Sequence, residues 1–94
     1  MTLEEIREQI NHVDQELIAL LEKRMELVTQ ITAYKLANHL PVLDQAREDQ
    51  ILTKVSELVK EPSFELAIHE IFKTIMTLSR HYQSHQLVDG GTDD

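Results

Sequence analysis

An arginine occupies a slot where the surrounding pattern demands an apolar side chain. From Leu3 to Tyr34, apolar residues recur at steps of three and four: Leu3, Ile6, Ile10, Val13, Leu17, Leu20, then Leu27, Ile31 and Tyr34. Such steps make the seam of an amphipathic helix. The missing member, between Leu20 and Leu27, is Arg24. Lys35 follows three helical turns later and ~20° round, with its backbone ~16 Å from that of Arg24. Long side chains spaced in this way can close on one small molecule. Arg7 flanks the same seam ~42 Å from Lys35, too far to meet it within one helix. If two such helices pair antiparallel about midpoints near residue 19, Arg7 of one falls near residue 31 of the other. That is inside the Arg24 to Lys35 window.

Other polar residues end apolar stripes further on. Asp44 suits an N-cap, and Arg47 and Glu48 stand in the helical turn that follows. Arg47 is in line with Ile51 and Val55, and Glu48 with Leu52 and Val55. Arg47 there opposes the helix macrodipole, whereas Glu48 suits it. Near the other end of the chain Phe72, Met76, Ser79 and Gln83 share one helical face, apolar at its start and polar at its end. Taken singly, each residue has a structural reading. Arg24 can set the register of a seam, Arg7 and Lys35 can be solvated, Ser79 can be a small packing residue, and Gln83 can mark a fraying end. His81 and His85 have the spacing of metal ligands, but no third ligand is placed to help them. The conjunction says more: three arginines, a lysine, a carboxylate, a hydroxyl and an amide, without cysteine or a Ser–His pair. This is an inventory for gripping a small polyanion, not for covalent chemistry.

The elements that must position these groups are few. The first helix is expected from Leu3 to Leu36, uninterrupted by Gly or Pro and ~50 Å long. A compact chain of this size is only about 30 Å across, so the helix overhangs its own core. A second copy of the chain is the economical cover for the seam. Residues 37–43, with Asn38, His39 and Pro41, read as a loop. A second helix is expected over Gln45–Val59, with Ile51, Leu52, Val55, Leu58 and Val59 inward. Pro62 and Ser63 start a third, to His85, with Phe64, Ala67, Ile68, Ile71, Phe72, Ile75, Met76 and Leu78 inward. Residues 1–87 are expected to form one domain and 88–94, VDGGTDD, a flexible tail.

Composition narrows the class. The 94 residues carry a net charge of −8 and no cysteine, with only two glycines and two prolines. Ninety-four residues give one small domain with a marginal core of its own. The acidic balance argues against a nucleic-acid partner, and no apolar run reaches membrane-spanning length. No signal peptide is read at the start, so a cytoplasmic protein is expected. No disulfide framework or thiol chemistry is implied.

Three segments then carry a resemblance. LEEIREQINHVDQELIALLEKRMELVTQITAYK, LPVLDQAREDQIL and IFKTIMTLSRHYQ together resemble the all-helical class of chorismate mutases, over about Leu3 to Gln86. The resemblance implies an intertwined antiparallel homodimer of three-helix chains, with two active sites that each borrow from both subunits. It implies conversion of chorismate to prephenate without a cofactor, on the route to phenylalanine and tyrosine. By the same resemblance Arg24 is the in-chain carboxylate-binding arginine and Arg7 the arginine supplied by the partner. Lys35 holds a carboxylate and the ether oxygen, and Gln83 is the second donor to that oxygen. Asp44, Arg47 and Glu48 belong to the PVxDxxRE segment, with Asp44 and Glu48 towards the ring hydroxyl. Ser79 contacts the ring carboxylate. One departure is Thr77-Leu78 ahead of Ser79, where many members carry an acidic residue. The alternatives are an isochorismate-pyruvate lyase, built on a similar site, and a non-enzymatic helical module whose seam binds partner helices. No regulatory domain is expected within this chain.

Overall fold

The computed structural model describes residues 1–92. It contains α1 (Leu3–Ala37), α2 (Gln45–Leu58) and α3 (Glu65–Thr92), with one 3-10 turn, Pro62–Phe64, ahead of α3. No strand occurs among the described residues, so the all-α class with one very long helix is what forms.

Each boundary has a local cause. Thr2 caps α1 by accepting from the Glu5 amide at 3.2 Å, and Glu4 and Glu5 place negative charge where the helix dipole favours it. At the other end His39 takes φ 55°, in the left-handed region. The His39 amide donates to the Leu36 carbonyl at 3.4 Å, and the Leu40 amide to the Lys35 carbonyl at 2.8 Å. Those two bonds make a Schellman stop, and Pro41 two residues later prevents the helix from resuming. The chain therefore folds back along the last turn of α1. It brings the Val42 carbonyl to 2.6 Å from the Lys35 ammonium, which donates to it. Asp44 caps α2 through the Arg47 amide at 3.0 Å. Val59, expected as the last residue of this helix, is extended and lies just beyond it.

The third helix differs at both ends from the sequence expectation. Glu61 caps the 3-10 turn at Pro62, which delays α3 to Glu65. The helical backbone then passes His85 and continues to Thr92. Gly90 and Gly91 lower helix propensity by ~1 kcal/mol each but do not forbid helical dihedrals. Residues 93–94, the end of the expected tail, lie outside the described residues.

Packing is uneven. α3 packs against both α1 and α2, whereas α1 and α2 make no close backbone contact with each other. The two are splayed on α3, and the gap between them is the origin of the site. The face of α1 turned to α3 runs through Leu21, Met25, Val28, Thr32 and Lys35, about 100° round from the Leu20–Leu27–Ile31–Tyr34 seam. Arg24 lies on the border between the two stripes. The apolar residues of the seam stay exposed along its whole length, and the first twenty residues are all exposed. Ile71 and Leu78, expected inward, are also exposed, at 55% and 60%. So are Leu58, Phe64 and Ala67. The stripe of α3 that finds a neighbour in the chain is narrower, through Ile68, Phe72, Ile75, Met76, Ser79 and Gln83. The result is long and thin, 58 × 27 × 15 Å, with a radius of gyration of 16.8 Å where a compact chain would have about 12 Å. Among the described residues no helix is long and apolar enough to cross a membrane.

Candidate active site

The few buried residues are an unusual set. Val28, Val55 and Met76 are apolar, but Thr32, Ser79 and Gln83 are polar and equally buried. Burial of a polar group is costly unless it is hydrogen-bonded, so the partners matter. Thr32 donates to the Val28 carbonyl one turn back at 2.9 Å. Ser79 accepts from Arg24 Nη1 at 2.8 Å and donates to the Ile75 carbonyl at 2.8 Å. Gln83 Oε1 accepts from Lys35 Nζ at 3.1 Å. Two of the three polar core residues are thus satisfied by the basic residues of α1.

These pairs line a cleft of about 340 Å³ in the gap between α1 and α2, with α3 behind it. That volume suits one small molecule. From α1 come Arg24 and Lys35, and from α2 and its cap come Asp44, Arg47 and Glu48. From α3 come Ser79, Gln83 and Arg80. Apolar walls are supplied by Leu27, Val28, Ile31, Val42, Ile51 and Met76. The structure therefore brings together Arg24, Lys35, Asp44, Arg47, Glu48, Ser79 and Gln83, the in-chain residues expected to share a site. Arg7 is not among them; it is exposed on the overhanging half of α1.

Arg80 was missed. It donates through Nη1 to Glu48 Oε1, joining α3 to the first turn of α2. The signal was present: Arg80 lies one turn after Met76 on the same stripe, and Glu48 needs a counter-charge.

Four cationic side chains against two carboxylates leave the cleft with an excess of two positive charges in a chain that is acidic overall. Burial, and then the charge of nearby Arg47, push the Arg24 pKa below the ordinary arginine value. Arg24 stays charged, and two crowded guanidiniums are relieved by an anion placed between them. The hydrogen-bond directions are also informative. An ammonium has only protons to give, so it must face the oxygen of Gln83. The Gln83 amide NH₂ is then the end left to donate elsewhere. Ser79 is differently committed: its proton goes to the Ile75 carbonyl, and it must rotate to donate to a carboxylate. Asp44 uses Oδ1 as a helix cap while its side chain borders the cleft.

A second groove of about 570 Å³ lies between α2 and α3, lined by Asp49, Leu52, Thr53, Ser56, Glu57 and His69. It holds two carboxylates and no arginine or lysine, so it cannot grip an anion. Among the described residues no cluster of His, Cys, Asp or Glu is arranged to hold a metal ion, and His81 and His85 are exposed.

Comparison with known proteins gives a family and two relatives. The family profile described as chorismate mutase type II matches residues 6–84. Over 55 residues, 58% of this chain, the sequence is 40% identical to the bifunctional chorismate mutase/prephenate dehydratase of Escherichia coli (strain K12). Over the same length it is 38% identical to the protein of that name from Buchnera aphidicola subsp. Schizaphis graminum (strain Sg). The matched stretch is 14% of the length of each relative, so this chain corresponds to a small part of them.

Proposed function

The chain belongs to the chorismate mutase type II family, and on that footing we propose that it converts chorismate to prephenate, as a homodimer whose two sites each draw on both chains. The observation that carries this reading is the Lys35–Gln83 pair inside a cleft with an excess of positive charge.

Chorismate is a dicarboxylate with a flexible enolpyruvyl ether arm. Its conversion is an intramolecular Claisen rearrangement: one carbon–oxygen bond breaks while one carbon–carbon bond forms. No proton is transferred, and no bond to the protein is needed. Two things help. The first is holding the arm over the ring in a chair-like, near-attack conformer. Arg24, Arg47, the partner's Arg7 and a rotated Ser79 grip the two carboxylates to that end, and Asp44 and Glu48 accept from the ring hydroxyl. The second is stabilising the negative charge that gathers on the ether oxygen as its bond stretches. Lys35 and the Gln83 amide are donors held in place before the reaction, in a site partly screened from water. An acceleration on the order of 10⁶ asks for ~8 kcal/mol, within reach of conformer selection plus two such donors.

The dimer is supported by what one chain leaves open. Leu27 and Ile31 line the cleft, yet each is about half exposed because they also belong to the uncovered seam. A second α1 laid antiparallel on that seam covers the cleft mouth and brings the partner's Arg7 opposite residue 31. The setting in this reading is the cytoplasm.

Steady-state assay on chorismate and on isochorismate tests the activity. Prephenate from chorismate is expected. Pyruvate from isochorismate with no prephenate from chorismate would instead make the protein a lyase, and no turnover of either would leave a helical interaction module.

Gln83→Glu tests the donor role. The introduced carboxylate faces an oxygen that gains negative charge, and when ionised it also pairs with Lys35 and withdraws that ammonium from the substrate. When protonated it donates through its hydroxyl, as the amide does. Activity is therefore present below the pKa of the introduced group and lost as pH rises through it. The variant should be poor at neutral pH and recover by about tenfold per unit on acidification until that group is protonated. A pH–rate profile matching that of the unmodified protein would remove Gln83 from the ether oxygen.

A further inference from the structure

Among the described residues, Arg80 is the cation of the cleft that pairs with a carboxylate, and two contacts hold it there. Nη1 donates to Glu48 Oε1, and Nη2 donates to Thr77 Oγ1 at 3.3 Å. The Thr77 proton is already given to the Lys73 carbonyl at 2.9 Å, so the hydroxyl presents a lone pair to the guanidinium. The Arg80 and Glu48 side chains are 29% and 16% exposed, whereas both partners of the Lys54–Glu57 and Lys73–Glu70 pairs are more than half exposed. Solvent screens those surface pairs to almost nothing; the partly desolvated one retains its direction and strength.

We propose that Arg80 is a positioning residue: it holds the Glu48 carboxylate in one orientation and cancels its charge, so that a dicarboxylate meets a cationic cleft. The proposal rests on the mutase reading above. Glu48 Oε1 is taken by Arg80, which leaves Oε2 as the oxygen that accepts from a substrate hydroxyl. Without Arg80 the cationic excess halves, and a loose carboxylate faces the carboxylates of the substrate. Arg80 thereby turns an anion that would repel the ligand into a neutral, aimed acceptor. Thr77 contributes by being uncharged. An acidic side chain there, three residues before Arg80 on the same helix, would compete with Glu48 for the guanidinium.

The test is a double-mutant cycle read in KM and kcat on chorismate. Arg80→Leu is expected to raise KM about 10-fold and lower kcat about 3-fold. In a Glu48→Gln background the same change should cost less than about 3-fold in kcat/KM, because the anion it governs is gone. Arg80→Lys keeps the charge and loses the two-point grip, so KM should return to within about 3-fold of the unmodified value. Equal losses from Arg80→Leu with and without the Glu48 carboxylate would make Arg80 a clamp between helices and overturn the proposal. Thr77→Asp keeps both side chains and draws the guanidinium aside; a comparable rise in KM supports the proposal even if Arg80→Leu does not fold, and an unchanged KM overturns it. Unmodified protein that leaves chorismate untouched would overturn the mutase reading and this proposal together. Turnover with additive losses would overturn this proposal alone.

Discussion

Lys35→Ala is expected to lower kcat on chorismate by about 10³-fold or more while the protein stays folded. The size follows from what the ammonium does. It donates to Gln83, and in the proposed reaction its loss removes one preorganised charge from the ether oxygen, typically worth ~3–4 kcal/mol in such sites. It also releases Gln83, whose oxygen it holds and whose NH₂ is thereby aimed. The structural cost is smaller. The Val42 carbonyl and Gln83 Oε1 lose a donor, which costs about 1–3 kcal/mol if water does not replace it. Neither contact belongs to the exposed seam that a second chain would cover. Circular dichroism and sedimentation should therefore find a folded protein of unchanged assembly, with steady-state kinetics reporting the loss. Unfolding at ordinary temperature would make Lys35 a structural residue. A kcat within tenfold of the unmodified protein would remove it from the reaction.

Much of this was legible in the chain before folding. Helices with few breakers announce themselves by period, and the Asp44 cap marked where the second starts. The polar residues of the cleft were legible for a related reason: each interrupts an apolar stripe, and an interruption in a stripe is visible without knowing its partner. What the pattern could not give was which stripe meets which. Ile71 and Leu78 look as inward as Met76, but one chain offers α3 only two narrow contacts, and they fall elsewhere. The offset of ~100° between the α1 face on α3 and the α1 seam was hidden too, since Leu20 and Leu21 are both leucine. Arg80 escaped because the stripe had already turned polar at Ser79, and its meaning comes from Glu48, thirty-two residues away on another helix. The stop at His39 was read as a loop from Asn38 and Pro41, but its left-handed geometry, which carries Val42 to Lys35, needs the hydrogen bonds to be seen. The end of α3 was set too early because a polar stretch with two glycines was read as a frayed tail, and glycines are poor helix formers without forbidding the helix.

Sharing of the site between chains is tested most directly by mixing two inactive variants. Arg7 lies on the exposed half of α1, ~42 Å from Lys35 along one helix. Both can reach one substrate only if they come from different chains. Arg7→Ala loses a carboxylate grip and Lys35→Ala a donor, so each homodimer should be nearly inactive. Unfolding, mixing one to one and refolding should make about half the dimers mixed, by pairing statistics for a two-fold assembly. In a mixed dimer one site collects both substitutions. The other takes Arg7 from the Lys35→Ala chain and Lys35 from the Arg7→Ala chain, and is intact. About a quarter of all sites, and roughly a quarter of unmodified turnover per chain, should return. If both residues served one site from the same chain, every site would carry one lesion. No recovery, with mixed dimers shown to have formed, would contradict the shared site and the antiparallel pairing of α1 on which it depends.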